Sequence, residues 1–179
     1  MADLLTLPEI EAAMRRLLPV VGAGEGLLPT FGRTEDFARP HVEVDEAGYH
    51  WVVVERGQEL ERFTTRSLDA LLEKHFAQIT FGVAASYERE HRVPMQDIRR
   101  ILFARQVELL ARLSPVWAAR EAARHAEILH QHPFDDRSDL RTRITVRLRD
   151  QGLDAEAAWD NACRLVPLPE SDVDGSNDG

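Results

Sequence analysis

The sequence of 179 residues contains one cysteine, one lysine and no long apolar run. A single thiol, Cys163, cannot form an intramolecular disulfide, and such scarcity is typical of a reducing compartment. No hydrophobic run approaches the roughly 20 residues that cross a bilayer. The first residues, MADLLTLPEI, lack a cationic start, a continuous apolar segment and a cleavage site, so no secretory signal is predicted. These absences favour a cytoplasmic protein.

Acidic residues outnumber basic ones, and the net charge is unevenly distributed along the chain. The net charge is −9 overall, made up of −7 in residues 1–61, +4 in residues 62–153 and −6 in residues 154–179. Binding to nucleic-acid phosphates requires a basic surface, so the overall acidity disfavours that class of partner. Acidity could serve solubility alone. It would also suit a protein that occupies a basic cleft on another protein, where complementary charge speeds association.

The N-terminal pattern predicts one helix and then an irregular connection. Thr6 and Glu9 have the spacing of a capping box, and Pro8 lies early in the first turn, where its missing N–H is harmless. Apolar residues then recur at helical spacing until Pro19 and Gly22 end the segment. Residues 22–40 contain four glycines and two prolines, which is typical of an irregular connection.

From His41 onward the hydrophobic period changes to that of β-strands. Residues 41–45 alternate apolar and charged side chains, residues 49–56 are rich in aromatic and β-branched types, and residues 60–65 return as a third strand. A two-residue turn at Gly57-Gln58 is predicted between the last two strands. That turn would pair Val52 with Phe63 on one face of the sheet, and Trp51 with Thr64 on the other.

The remaining sequence predicts helices. Apolar stripes and breakers at Pro94, Ser114-Pro115, HPFDD and Gly152 divide residues 67–166 into about five helices. The predicted fold class is therefore α+β, with an N-terminal helix and a three-stranded antiparallel meander packed on the C-terminal helices. Residues 1–167 are predicted to form one globular domain, and residues 168–179 an acidic, disordered tail.

Candidate catalytic groups are the carboxylates of the meander. Glu43, Glu55, Glu59 and Glu61 could place two acids close together, as a hydrolase or transferase using acid–base catalysis would require. Carboxylates on the wet face of an amphipathic sheet are also what simple alternation predicts, with arginines there to pair with them. Cys163 lies among apolar residues, which favours a structural thiol over a nucleophile. No catalytic residue and no enzyme activity are predicted.

Histidines and aspartates cluster in the segment HAEILHQHPFDD. His125, His130, His132, Asp135 and Asp136 all have ligand chemistry, but the segment lacks the HExxH spacing of a helical zinc site and any cysteine pair. His130 and His132 would point about 200° apart on a helix. Histidines at the negative end of a helix dipole explain the cluster more simply. Neither a metal nor another cofactor is predicted.

An arginine-rich segment could suggest a nucleic-acid-associated protein. Arg137, Arg141, Arg143, Arg147 and Arg149 precede a turn and a second helix, as in a helix–turn–helix unit. The second helix, however, carries Asp154, Glu156 and Asp160, which would repel phosphate. Solvated arginines that pair with acidic parts of the same chain are the simpler interpretation.

A protein partner is the remaining alternative. An exposed third strand could accept a partner strand, although charged residues there guard against such pairing. Tyr49 and Trp51 are suitable anchors if they are exposed, and core residues otherwise.

The segment GYHWVVVERGQELERFTT, with LDALLEKHF and YEREHRVPMQDIRRILFARQVELLARL after it, resembles a family of small bacterial immunity proteins from polymorphic toxin systems, of the immunity protein 63 type. The similarity covers residues 41–132. It includes the strand from Tyr49 to Gly57, the pair Thr64-Thr65, and the helix with Arg99, Arg100, Leu102, Phe103 and Gln106.

The resemblance implies a cytosolic protein without a cofactor or active site, which neutralises a cognate toxin by covering its catalytic site. If that toxin were a nuclease, acidic side chains would stand in for substrate phosphates. The partner-binding residues implied are those of the meander and its turns: Glu43, Asp45, Glu46, Tyr49, Trp51, Glu55, Arg56, Glu59 and Glu61.

Overall fold

The computed structural model describes residues 4–170, and over them it confirms the α+β class with an N-terminal helix and C-terminal helices. Helix α1 (Leu7–Leu17) leads through short 3-10 turns at Leu18–Val21 and Glu25–Leu27 into the sheet. The strands are β1 (Thr30–Phe31), β2 (Phe37–Asp45), β3 (Gly48–Glu55) and β4 (Gln58–Thr65). Five helices follow in the described chain: α2 (Leu68–Glu90), α3 (Ile98–Leu113), α4 (Pro115–Gln131), α5 (Ser138–Asp150) and α6 (Ala155–Leu165).

The sheet has four strands in the order β1-β2-β3-β4, one more than the meander predicted. The additional strand lies inside the supposedly irregular connection, where Thr30 and Phe31 pair in parallel with His41 and Val42. Two residues are too few to show alternation, which is why the pattern of the sequence does not reveal β1. Strand β2 also begins four residues before His41, because Phe37 pairs with Glu55 across a bulge.

The β3–β4 turn lies one residue earlier than predicted. Arg56 and Gly57 are its central residues, with φ of 53° and 72°, and a two-residue turn of this kind requires positive φ at both positions. Val52 therefore faces Arg62, and Trp51 faces Phe63. The predicted pairs are wrong by one position, and because side chains alternate, this shift moves Phe63 to the face of Trp51.

One face of the sheet is apolar and contributes to the core of the first compact unit, Met1–Val83 with Gln106–Ala119. Val42, Trp51 and Phe63 share this face, and Trp51 is only 2% exposed. Helix α2 packs across it, since the Trp51 indole Nε1–H donates to His75 Nδ1 at 3.4 Å. The Lys74 ammonium lies 4.8 Å from the Trp51 ring centroid. Trp51 is thus a core residue.

The second compact unit comprises Ala84–Arg105 and Arg120–Gly179. Its most buried charged group is Arg141, which is 1% exposed. The guanidinium donates to the Asp135 carboxylate at 2.6 Å and to the carbonyl of Val166 at 3.0 Å. Arg141 is therefore not one of the solvated arginines that the helix pattern predicts. Helix α6 buries Ala158 and Ala162, whereas Trp159 and Leu165 are exposed.

No helix among residues 4–170 is long and apolar enough to span a membrane. The single domain over residues 1–167 stays a prediction. The predicted disordered tail falls largely on residues 171–179, which lie outside the described residues.

Candidate functional site

Polar side chains surround the buried Val52 on the other face of β2, β3 and β4, opposite to Trp51. Strand alternation and the register bring seven of them together. We call this set the polar sheet face; its members are His41, Glu43, Asp45, His50, Glu59, Arg62 and Thr64.

Arg62 joins two strands of the polar sheet face. Its Nε and Nη2 donate to the Glu59 carboxylate at 3.0 and 2.7 Å, and its Nη1 donates to Glu43 at 3.0 Å. The two carboxylates are thereby fixed on either side of one guanidinium, with 41% and 44% of their side chains exposed. A planar guanidinium that binds both oxygens of Glu59 gives this arrangement a defined geometry.

Two buried histidines lie within hydrogen-bond distance of acids on this face. His41 is 3% exposed and its Nε2 lies 3.0 Å from Glu43, while His50 is 6% exposed and its Nε2 lies 2.8 Å from Asp45. The other nitrogen of His50, Nδ1, lies 2.8 Å from the Thr64 hydroxyl. Buried rings thus position carboxylates whose oxygens remain open to solvent.

The surroundings keep these acids ionised. Partial burial alone would raise the pKa of Glu43, but hydrogen bonds from His41 and Arg62 outweigh it and lower that pKa below its usual value. The hydrogen bond from Arg62 lowers the pKa of Glu59, and the hydrogen bond from His50 lowers the pKa of Asp45. A general acid at neutral pH needs a raised pKa. Stable anions are instead suited to charge recognition.

The other predicted acids lie apart from this face. Glu61 projects from the apolar face, where its carboxylate accepts a hydrogen bond from Lys74. Glu46 lies in the β2–β3 turn, and Arg66 donates to its carbonyl. Glu55 and Arg56 lie at the β3–β4 turn, with Arg56 90% exposed at its side chain. Of the predicted acids, Glu43, Asp45 and Glu59 are therefore brought together.

Tyr49 and Trp51 are in the core, at 3% and 2% exposure. The Tyr49 hydroxyl accepts the backbone N–H of Leu5 at 2.8 Å. Both side chains project from the apolar face of β3 and are buried. Neither is therefore exposed, as an anchor for a partner would need to be.

One strongly exposed aromatic side chain, Phe37, is not marked by any pattern in the sequence. Phe37, at the start of β2, is 86% exposed, although large apolar side chains in strands normally pack against a neighbour. It lies within residues 22–40, where a lone aromatic among polar residues gives no periodic signal. The run Glu35-Asp36-Phe37-Ala38 contains no feature that would have marked it.

Among residues 4–170, no group of three or more His, Cys, Asp or Glu side chains is placed to hold a metal ion. His125 is buried against the ring of Phe103, with 3.8 Å between centroids. Asp135 binds Arg141, and Asp136 binds Arg100 at 2.8 Å. His130 and His132 are exposed.

A polar groove of about 300 Å³ lies beside β1 and includes three arginines and three glutamates. Arg15 binds Glu11 at 2.7 Å, and Arg39 binds Glu35 at 2.9 Å. Arg39 also donates to the carbonyl of Leu28. Because these guanidinium groups already bind carboxylates of the chain, the groove gives no indication of a ligand.

A comparison with protein families matches residues 45–127 to the family Immunity protein 63. This match confirms the resemblance to bacterial immunity proteins and indicates an immunity function. It includes β3 and β4 with the β2–β3 and β3–β4 turns, and therefore Asp45, His50, Glu59, Arg62 and Thr64 of the polar sheet face. Searches of curated proteins and of solved structures gave no match.

Proposed function

We propose that this chain, matched to Immunity protein 63 over residues 45–127, binds a cognate toxin in the cytoplasm and neutralises it by covering its active site. The polar sheet face supplies the contact, with Glu43, Asp45 and Glu59 directed at a basic surface of the toxin. The protein acts by binding alone and carries out no reaction.

The observation that carries this proposal is the geometry of the three carboxylates, which lie 2.7–3.0 Å from Arg62 or His50 on one sheet face and yet are exposed by 41% or more. Anions fixed on a sheet need little ordering when a partner binds, so less entropy is lost at the interface. Such an array can replace substrate phosphates in a basic cleft and steer the approach of the partner.

The position of β4 also suits a partner surface. In the described sheet β4 pairs with β3 alone, and the residues from Gln58 to Arg62 are exposed. A partner can therefore approach the polar sheet face without displacing another element at that edge.

Affinity capture tests the toxin partner directly. The tagged chain is expressed in its own host, and retained proteins are identified by mass spectrometry. We expect one stoichiometric partner with a basic domain. Expression of that domain alone should stop bacterial growth, and co-expression of the chain should restore it. A captured protein that is harmless to cells contradicts the proposal.

Charge removal then tests the polar sheet face. The double variant Glu43→Gln/Glu59→Gln removes two anions and keeps the side-chain shape, and Glu61→Gln on the apolar face is the matched control. We expect the Kd for the captured toxin domain to rise about tenfold or more in the double variant, with a weaker salt dependence. The control should change it by less than about twofold.

Equal Kd values for both variants would place the interface elsewhere. Circular dichroism of each variant verifies that the fold is kept. An enzyme would behave differently, since one carboxylate-to-amide change would abolish turnover of a small substrate and leave binding intact.

A further inference from the structure

Thr64 contributes the single hydroxyl group of the polar sheet face, and a buried histidine holds it. Thr64 lies near the end of β4 and is exposed, and in the sheet it pairs with His50 of β3. The His50 residue is only 6% exposed. Its Nδ1 lies 2.8 Å from the Thr64 hydroxyl oxygen, and its Nε2 lies 2.8 Å from Asp45 Oδ1. One buried ring therefore connects an exposed hydroxyl with an exposed carboxylate.

The carboxylate determines which nitrogen of His50 carries the proton. An ionised carboxylate only accepts hydrogen bonds, and a neutral imidazole has one N–H and one bare nitrogen. A bare Nε2 would direct its lone pair at the lone pairs of Asp45 Oδ1, only 2.8 Å away. The proton therefore lies on Nε2, and Nδ1 is the acceptor. The Thr64 hydroxyl must then donate its hydrogen to Nδ1.

This assignment makes the Thr64 oxygen a hydrogen-bond acceptor toward a partner. Because its hydrogen is directed at His50, the accessible part of the group is the oxygen with its lone pairs. Asp45 is in a similar state. Its Oδ1 accepts the backbone N–H of Ala47 at 2.7 Å and faces His50, whereas its Oδ2 accepts no hydrogen bond from the described residues 4–170.

The donors on the rest of the polar sheet face are directed at groups of the same face. Arg62 donates from Nε and Nη2 to Glu59 and from Nη1 to Glu43. The Nε2 of His41 lies 3.0 Å from Glu43. The accessible polar atoms of this face are therefore mainly oxygens that accept hydrogen bonds. Such a surface suits a partner with charged N–H donors and disfavours one with carboxylates.

We infer that Thr64 is a specificity-determining residue of the toxin interface, whose oxygen accepts a hydrogen bond from an arginine or lysine side chain of the toxin. His50 is the positioning residue, because it takes up the hydroxyl hydrogen. A hydroxyl hydrogen that pointed outward would instead meet the hydrogens of the same donor. The inference rests on the proposed function and adds to it a neutral group that recognises the toxin by hydrogen bonding.

Three variants of the full chain test this inference with the toxin domain obtained by affinity capture. Thr64→Val keeps the branched shape and removes the oxygen, whereas Thr64→Ser keeps the hydroxyl. Thr142→Val in α5 is the matched control, since Thr142 is exposed and its hydroxyl donates to the carbonyl of Ser138 in the same helix. Calorimetry gives the Kd of each variant, and the midpoint of urea unfolding gives its stability. In the free wild-type chain, the nitrogen chemical shifts of the His50 ring identify the protonated nitrogen.

The free chain should show a protonated Nε2 and a bare Nδ1 in His50. Thr64→Val should raise the Kd about tenfold or more, because a charged donor of the toxin loses its acceptor at the interface. Thr64→Ser should stay within about threefold of the wild-type Kd, since the hydroxyl is kept. Thr142→Val should change the Kd by less than about twofold.

A protonated Nδ1 in the free chain overturns the inference before any variant is made. A Kd for Thr64→Val within about twofold of the wild-type value also overturns it, and so do equal losses of affinity for Thr64→Val and Thr64→Ser. In these cases the proposed function stands if Glu43→Gln/Glu59→Gln still weakens binding. Failure to capture any toxin overturns both the inference and the proposed function.

Discussion

Replacement of Trp51 by alanine separates a core role from a binding role for the residue at the centre of β3. Trp51 was a candidate anchor in the sequence, and the tertiary structure buries all but 2% of it against Val42, Phe63 and His75. If that burial is its role, the variant should lose stability first, and should lose binding only in proportion to the unfolded fraction.

The magnitude follows from the area that the ring buries. A tryptophan side chain removes about 150–250 Å² from water, and about 25 cal/mol per Å² gives roughly 4–6 kcal/mol. Large-to-small changes of buried aromatics in other proteins cost about 3–5 kcal/mol, because the cavity collapses only partly. We expect the free energy of unfolding to fall by about 4 kcal/mol. Of a total stability of about 5–15 kcal/mol, this is a large fraction.

The assay is urea unfolding followed by far-ultraviolet circular dichroism, with Trp159→Ala as the matched control. Trp159 is 43% exposed, so the same area argument gives a smaller loss there, of roughly 2–3 kcal/mol. A loss below about 1.5 kcal/mol at Trp51 would refute the argument from burial. A Trp51→Ala protein that stays folded but no longer binds its partner would also refute it, because that result would assign Trp51 to the interface.

Two further predictions concern buried ionisable side chains. Burial lowers the pKa of His75 to about 4, below the value of about 6.5 expected in the unfolded chain. Between pH 6.5 and pH 4 the unfolded state therefore binds more protons than the folded state. The free energy of unfolding should be highest above about pH 6.5 and should fall by roughly 3 kcal/mol as the pH approaches 4. Unfolding midpoints at pH 7.5 and 5 measure this, and a His75→Gln protein with an equally steep decline would assign the effect to another group. Arg141→Met should cost about 3 kcal/mol, because it leaves the Asp135 carboxylate and two carbonyls without their donor. The same change at exposed Arg143 should cost less than about 0.5 kcal/mol, and equal losses at both positions would contradict the role of the buried ion pair.

The alternation of β3 explains why binding and stability should be separable in this protein. Trp51 lies on the face that helix α2 covers, and His50 lies on the polar sheet face next to it in sequence. Because neighbouring side chains point to opposite faces, one strand serves both the core and the proposed interface. Substitutions on the two faces should therefore affect different measurements.

Much of the fold was determined by local signals in the sequence. The capping box of α1 is present, since Thr6 donates its backbone N–H to Glu9 at 2.8 Å. Asp154 caps α6 through the N–H of Ala157 at 2.9 Å. The hydrophobic period changes from helical to strand spacing near residue 41, and Pro94 separates two helices. Both signals predicted the α+β class correctly. These features depend on residues within a few positions of one another, so sequence patterns capture them.

The tertiary structure alone decided which side chains meet. A turn at Arg56-Gly57 instead of Gly57-Gln58 shifts the strand pairing by one position and places Trp51 with Phe63 in the core. Periodicity cannot fix that register, because a shift of one residue leaves each strand's own alternation unchanged. Long-range contacts also decided that Arg141 is buried with Asp135. The sequence by itself thus determined the elements and the acidic character of the hairpin. Pairing between distant residues decided which acids share a face and which aromatic side chains are buried.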